Sequence, residues 1–211
     1  MNTIRAICFD LDGTLYDLKK QQRKLWKSIL RHPIVLHHWQ RETAAMRGVR
    51  SSSIHRDIAE AVAKRTGRSP ESAEAIIEQA IFVDYPATFQ PADLLPGLQE
   101  IFERLDRDGI PRAVVSDHPT DDKLRGLGQL DGWVGRFDCS ALGALKPLPD
   151  GLNEVARLLN CTTAELVLVG DREDTDGEMA AAAGAISLIR GRDWTNGKDL
   201  APLLDQHLDS P

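Results

Sequence analysis

The sequence predicts an α/β protein: a mainly parallel sheet covered by helices on both faces, with an extra helical block inserted early. Three observations carry this prediction. Ala6 to Phe9, Ala113 to Val115 and Leu166 to Val169 are short, uniformly apolar runs of the kind that form strands buried on both faces. Segments with helical apolar spacing separate them. Each run also leads into a polar residue, namely Asp10, Ser116 or Asp171. Sheets of this type bind ligands beyond the carboxyl ends of their strands, so the three polar groups are expected on one rim.

The elements follow in order. The first strand, Ala6 to Phe9, ends at Asp10. Residues 17 to 84 then read as helical throughout, with Leu25, Ile29 and Leu30, and later Ile58, Ala59 and Val62, at helical spacing. Gly48 to Ser53 reads as a loop between two of these helices. Gly67 stops one helix, and Ser69-Pro70-Glu71 caps the next with proline at its first position. Ile76, Ile77, Ala80 and Ile81 give that helix its apolar face.

After Pro91 and Pro96-Gly97 helices and strands alternate. Leu98, Ile101, Phe102 and Leu105 line a helix ending near Gly109. The strand Ala113 to Val115 ends at Ser116, and a helix spans Thr120 to Leu127. A short strand near Phe137 to Cys139 precedes Lys146-Pro147, and a helix follows from Gly151 to Leu159. The strand Leu166 to Val169 runs into Gly170-Asp171. A helix through Met179 and Ala183 stops at Gly184, and Ala185 to Ile189 forms the last strand.

Composition narrows the class. With 211 residues, 42% hydrophobic and 27% charged, the chain suits one substantial domain plus an insert. Cys8, Cys139 and Cys161 form no CxxC pair, which argues against a disulfide framework or a zinc site and for a reducing, cytoplasmic setting. Met1 to Arg5 leads into the first strand with no signal-like apolar core, and no run is long enough to span a membrane. A net charge of −6 speaks against general nucleic-acid binding. The charge is uneven, however: residues 17 to 50 hold nine Lys or Arg against two acids. That stretch would attract an anionic substrate, although taken alone a solvated helix face explains it better.

Chemistry concentrates in two acidic clusters. In Asp10-Leu11-Asp12-Gly13-Thr14 the carboxylates lie two residues apart just past a strand, so both can face one ligand. Asp10 suits a nucleophile, and Asp12 suits the acid that protonates a leaving alcohol and later activates water. Taken alone, an ordinary Asp-Gly turn accounts for the segment as well. The second cluster, Asp171 to Glu178, packs five acids into eight positions directly after an apolar strand. A hard cation such as magnesium relieves that repulsion. Ser116 offers a hydroxyl and following backbone amides to phosphate oxygens, and Lys146 offers a compensating charge.

In this order the four segments resemble the haloacid dehalogenase-like superfamily. Cys8 to Leu15 is similar to its first motif, Val115-Ser116 to the second, Lys146 to Pro149 to the third and Gly170 to Asp176 to the fourth. The resemblance implies a Rossmann-like core of residues 1–16 and 92–211 and an α-helical cap over 17–91. It further implies Asp10 as phosphoryl-accepting nucleophile, Asp12 as acid and base, and Ser116 and Lys146 as phosphate-binding groups. Mg2+ would be held by Asp10, the Asp12 backbone carbonyl and Asp171, with Asp176 in support. Phosphatases of the family carry the second aspartate and dehalogenases do not, so Asp12 points to hydrolysis of a small phosphorylated metabolite.

Departures concern Asp117, where relatives often have asparagine and which would need to point away or pair, for example with Lys123. His118 reads as a surface-loop histidine. Candidate specificity residues in the cap are Lys20, Arg23, Arg47 and Arg50, with Trp26 and Trp39 as packing anchors. A phosphomutase shares all four motifs and remains the alternative. A receiver-like signalling module or an idle phospho-ligand-binding protein is the alternative from another class. A receiver lacks the 75-residue insert and the late acidic cluster, and intact Asp10, Asp12, Lys146 and Asp171 oppose idleness. The sequence sets neither the substrate nor the oligomeric state.

Overall fold

The computed structural model describes residues 3–208. Five parallel strands form one sheet in the order β3-β2-β1-β4-β5. They are β1 (Ala6–Phe9), β2 (Arg112–Ser116), β3 (Gly135–Asp138), β4 (Leu166–Gly170) and β5 (Ile186–Ile189). The central strand β1 pairs with β2 on one side, Cys8 opposite Ala113, and with β4 on the other, Cys8 opposite Leu168. The chain builds outwards from β1 to β3, then returns to lay β4 and β5 on the opposite side. The strand order therefore reverses between β1 and β4, where sheets of this class form a ligand crevice.

Alternation along β1 divides the core. Ile7 and Phe9 enter a cluster with Leu98, Phe102, Leu105 and Leu200, whereas Ala6 and Cys8 face Leu152, Val155 and Met179. Burial on both faces explains why these strands are apolar runs instead of alternating patterns. The first cluster rests on α6 (Leu98–Arg107) and α10 (Gly197–Leu208), the second on α8 (Asp150–Leu159) and α9 (Glu178–Ala183). Phe9 meets Phe102 and Trp133 edge to face, at ring-centroid distances of 5.3 and 5.9 Å.

Between β1 and α6 lie α1 (Leu18–Lys24), α2 (Trp26–Arg31), α3 (Pro33–Ala45), α4 (Ile54–Thr66) and α5 (Pro70–Ile77), with a π-helical extension over Glu78–Asp84. The caps read from sequence are present. Gly67 ends α4 in the left-handed region at φ 66°, and the Ser69 side chain accepts from Ser72 N ahead of Pro70. The segment is not helical throughout, because residues 46–53 form the turn-rich connection between α3 and α4. That loop is fastened to the sheet domain. Ser51 N donates to Gly143 O at 3.0 Å, Arg50 bridges to Ala144 in the backbone, and the Arg50 side chain pairs with Asp150.

Three expectations need adjustment. Strand β3 lies one to two residues earlier than Phe137–Cys139, because it is an edge strand whose register is set by β2 alone. The helix after Ser116, α7 (Asp121–Gly126), is shorter than expected at each end. Trp26 is not a packing anchor and is 55% exposed, since α2 turns it outward along with Leu30. The sequence also hid α10, whose Pro202 and mixed polar surface weaken the periodic signal. Among the described residues no helix is long and apolar enough to cross a membrane.

Candidate active site

Asp10 leaves β1 at the crevice, its backbone N–H donating to Val169 O at 2.8 Å across the β1–β4 junction. This fixes where the side chain starts. The carboxylate is buried and doubly held, with Thr14 Oγ1 donating to Oδ2 at 2.8 Å and Lys146 Nζ donating to Oδ1 at 2.5 Å. Lys146 Nζ also reaches Asp176 Oδ1 at 2.7 Å, and the other Asp176 oxygen accepts from the backbone N–H of Asp171 and of Arg172, both at 3.1 Å. One buried lysine thus ties the first acidic motif to the second across the reversal point.

Carboxylate oxygens of Asp10, Asp171 and Asp176 all come within 4.8 Å of one another. Burial pushes Asp10 well above the usual carboxylate range, with Lys146 opposing and Asp176 and Asp171 adding to the rise. Asp171 is pushed up to about 6, first by burial and then by Asp176. A single lysine does not balance three acids. The surplus of negative charge, carried by hard oxygens, suits a divalent cation such as magnesium.

Two glycines make this crowding possible. A Cβ on Gly13, which sits at φ +103°, would lie 2.1 Å from Asp171 Oδ2. A Cβ on Gly170 would lie 2.4 Å from the Asp176 Cβ. Any larger residue at either position drives the acids apart.

Asp12 stands apart from the three acids. Lys123 Nζ donates to both of its oxygens at 2.7 Å, and Tyr16 OH donates to Oδ1, itself 3.2 Å from Tyr85 OH. Burial works against the charged form of Asp12, but Lys123 and Tyr16 more than offset it and hold the carboxyl below its usual range. It lines the same cavity as Asp10, Asp171 and Asp176 but is not one of the three clustered acids and has its own partners, so the two aspartates of the first motif occupy different environments.

Ser116 is fully buried at the end of β2, its Oγ accepting from the His118 N–H at 3.3 Å. Asp117 does not pair with Lys123 as anticipated. Its Oδ1 accepts from Lys146 N at 2.8 Å, which braces the lysine-bearing loop while the residue still lines the cavity. Burial is the main cause of its raised pKa. His118 is not a surface residue. It packs on Trp39 with ring centroids 5.5 Å apart and lies near Phe82 and His55, and burial takes its pKa down to about 3.

Asp10, Asp12, Asp117, His118, Lys123, Lys146, Asp171 and Asp176 share a cavity of ≈ 530 Å3 whose other walls include residues of α1 to α3, the π-helical turn and Tyr85, while the buried Ser116 is not among its lining residues. Of the four specificity candidates, only Arg47 lines it. Lys20 sits 3.9 Å from Asp93, Arg23 points to solvent, and Arg50 is taken by Asp150. The helix face carrying Lys20 and Arg23 turns away from the rim, so their charge was the solvated kind.

Sequence reasoning did not single out Tyr16, Tyr85, Trp39 or Lys123 as site residues. Tyr16 is two residues past Thr14, close enough to the first motif to have been a candidate. Tyr85 and Trp39 carry no local signal, because helical packing alone brings them to the cavity.

A five-stranded parallel sheet with converging acids at its strand-order reversal defines a Rossmann-like α/β core with an acidic site at its crevice. The comparisons make this specific. A model of the haloacid dehalogenase-like hydrolases matches residues 4–184, and the chain belongs to that family. It is 25% identical over 171 residues to a validoxylamine A 7'-phosphate phosphatase from Streptomyces hygroscopicus subsp. limoneus, spanning 79% of this chain and 76% of the relative. A 2-haloacid dehalogenase from Pseudomonas syringae pv. tomato DC3000 superposes with TM-score 0.66 at 20% identity, over 97% of this chain and 99% of that one. A β-phosphoglucomutase from Clostridium difficile superposes with TM-score 0.72 at 16% identity, over 98% of each chain. These two likenesses concern the fold.

Proposed function

We propose that the protein is a magnesium-dependent phosphomonoester hydrolase acting on a small phosphorylated substrate, with residues 17–91 serving as a cap over the site. The observation that carries this reading is the division of labour between Asp10 and Asp12. Asp10 sits among cation-seeking acids beside Lys146, while Asp12, two residues on, faces the cavity in a separate hydrogen-bonded pocket. A dehalogenation site has no use for the second carboxylate. Kinship with a phosphatase supports the same choice.

In the proposed mechanism an Asp10 oxygen attacks phosphorus and the bond from phosphorus to the ester oxygen breaks. Negative charge on the bound phosphate ester raises the Asp12 pKa so that its carboxyl takes up a proton from solvent, and the departing oxygen receives that proton, giving an alcohol and an aspartyl-phosphate. Asp12, now ionised, removes a proton from water as that water attacks phosphorus, which releases inorganic phosphate and restores Asp10. Ser116 and Lys146 bind the phosphoryl oxygens. Lys123 and Tyr16 stabilise the ionised form of Asp12 that the second step requires.

Asp10, Asp171 and Asp176, with the Asp12 backbone carbonyl, would hold Mg2+. When bound, the ion neutralises charge on the carboxylates and on the transferring phosphoryl group.

The test is phosphate release from a panel of phosphorylated metabolites, with and without magnesium, for the wild type and Asp10→Asn. Magnesium-dependent release that disappears in the variant supports the reading. Undiminished release by Asp10→Asn refutes the nucleophile assignment.

A further inference from the structure

The cavity walls differ sharply from its floor. Above the carboxylates, Leu25, Ile29, Leu36, Trp39 and Ile81 line a space of ≈ 530 Å3, within the range that accommodates drug-sized ligands. A two- or three-carbon phosphate would leave most of that apolar surface against water. Trp39 and His118 pack on each other with ring centroids 5.5 Å apart and planes tilted by 37°, and both line the cavity; His118 is neutral there, so this aromatic panel carries no charge of its own.

Gln22, Gln40, Thr43 and Arg47 interrupt the apolar wall, and of these only Arg47 is charged. Four cations line the cavity: Arg47, Lys123, Lys146 and Arg172. Lys123 is held by Asp12, Lys146 by Asp10 and Asp176, and Arg172 by Asp174. The Arg47 guanidinium makes no hydrogen bond or ion pair among the described residues, and its Nε is buried without a partner. A buried donor without an acceptor is uncommon in a folded protein and calls for a ligand group to satisfy it.

Resting on the phosphatase reading above, we infer that the substrate is the phosphate monoester of a bulky, ring-bearing alcohol. Its ring lies against the Trp39–His118 panel, and it carries an acceptor, a carboxylate or a hydroxyl, that reaches Arg47. The apolar walls select for the ring and Arg47 selects for the acceptor.

Four compounds test this with the full chain and magnesium: acetyl phosphate, ethyl phosphate, benzyl phosphate and 4-carboxybenzyl phosphate. Acetyl phosphate is small and activated, so its turnover reports phosphoryl transfer without help from the walls. Burial of the ring should raise kcat/KM for benzyl over ethyl phosphate by roughly 100-fold. The carboxylate should add about tenfold more through Arg47. Trp39→Ala should shrink the benzyl-to-ethyl ratio at least tenfold, and Arg47→Met should erase the carboxybenzyl advantage while leaving the benzyl-to-ethyl ratio in place.

A benzyl-to-ethyl ratio below ten, with acetyl phosphate hydrolysed, overturns the ring inference and leaves the phosphatase reading standing. A carboxybenzyl advantage that is absent, or that survives Arg47→Met, overturns the assignment of Arg47. No magnesium-dependent release from any of the four overturns both the inference and the reading beneath it.

Discussion

The floor and the walls of the cavity are built on opposite principles. On the floor most charged groups are held from several sides: Lys146 bonds two carboxylates, Asp176 accepts from two backbone amides, and Asp12 is gripped by Lys123 and Tyr16. The walls are mostly apolar, and their cation, Arg47, makes no side-chain hydrogen bond or ion pair among the described residues. Groups held from several sides stay in place as the substrate changes, whereas a wall of side chains on short helices can be altered one residue at a time. Such an arrangement separates the chemistry from the choice of substrate. It predicts that floor substitutions lower turnover on every compound and wall substitutions reorder the compounds.

The comparison can be broken first at Asp10. Replacing it with asparagine should lower phosphate release by at least about a thousandfold with the circular dichroism spectrum unchanged, as for other nucleophile deletions. A loss confined to some substrates would mean that floor and walls are not separate. Chelation of divalent metal should likewise stop turnover on all compounds, and continued release in excess chelator would count against the acid cluster as a metal site.

Gly13→Ala comes next. Its methyl group would meet Asp171 and its φ of +103° is strained for alanine. Activity should fall on the order of 100-fold, with a lower melting temperature reflecting a cost of roughly 1–3 kcal/mol. Activity within twofold of wild type would show that the acids tolerate separation.

Lys123→Met tests Asp12 more gently. Removing the cation lets burial dominate, so the Asp12 carboxyl moves up from its depressed value. The acid limb of the pH–rate profile should then shift to higher pH with a loss of about 10- to 100-fold at neutral pH. An unmoved limb would remove Asp12 from the acid–base role.

Metal binding should also show in stability. With pKa raised to about 6, Asp171 holds a proton in the folded chain that the unfolded chain has already released between about pH 4 and 6. The folded state binds more protons there, so stability without metal falls as pH rises through that window. The rise in melting temperature on adding magnesium should therefore be larger at pH 7 than at pH 5. Equal rises would argue that the ion binds elsewhere.

The smallest effect is expected at Arg50, which lies outside the cavity and pairs with Asp150 on the surface. Arg50→Ala should change turnover less than about twofold and stability by under about 1 kcal/mol.

The floor was legible in the sequence because its residues sit at strand ends. A four-residue apolar run followed by a carboxylate specifies both the strand and the position of the acid, and this held at Asp10 and Asp171. Lys146 has no such marker of its own, and only its order among the motifs pointed to it. The walls were largely illegible. Lys20, Arg23 and Arg47 have the same charge, and what separates them is the direction each helix turns, a property of tertiary packing. His118 was misjudged for the same reason. A histidine in a loop is ordinarily solvated, but here Trp39 of α3 covers it.

The position of β1 has a consequence for biosynthesis. It is the first strand made and the centre of the finished sheet, yet its nearest partner, β2, begins at Arg112 and the other, β4, at Leu166. While the ribosome works through the intervening helices, the Ala6–Phe9 segment has no edge to join. The nascent chain must carry the strand that leads into Asp10 unpaired until Arg112–Ser116 has emerged.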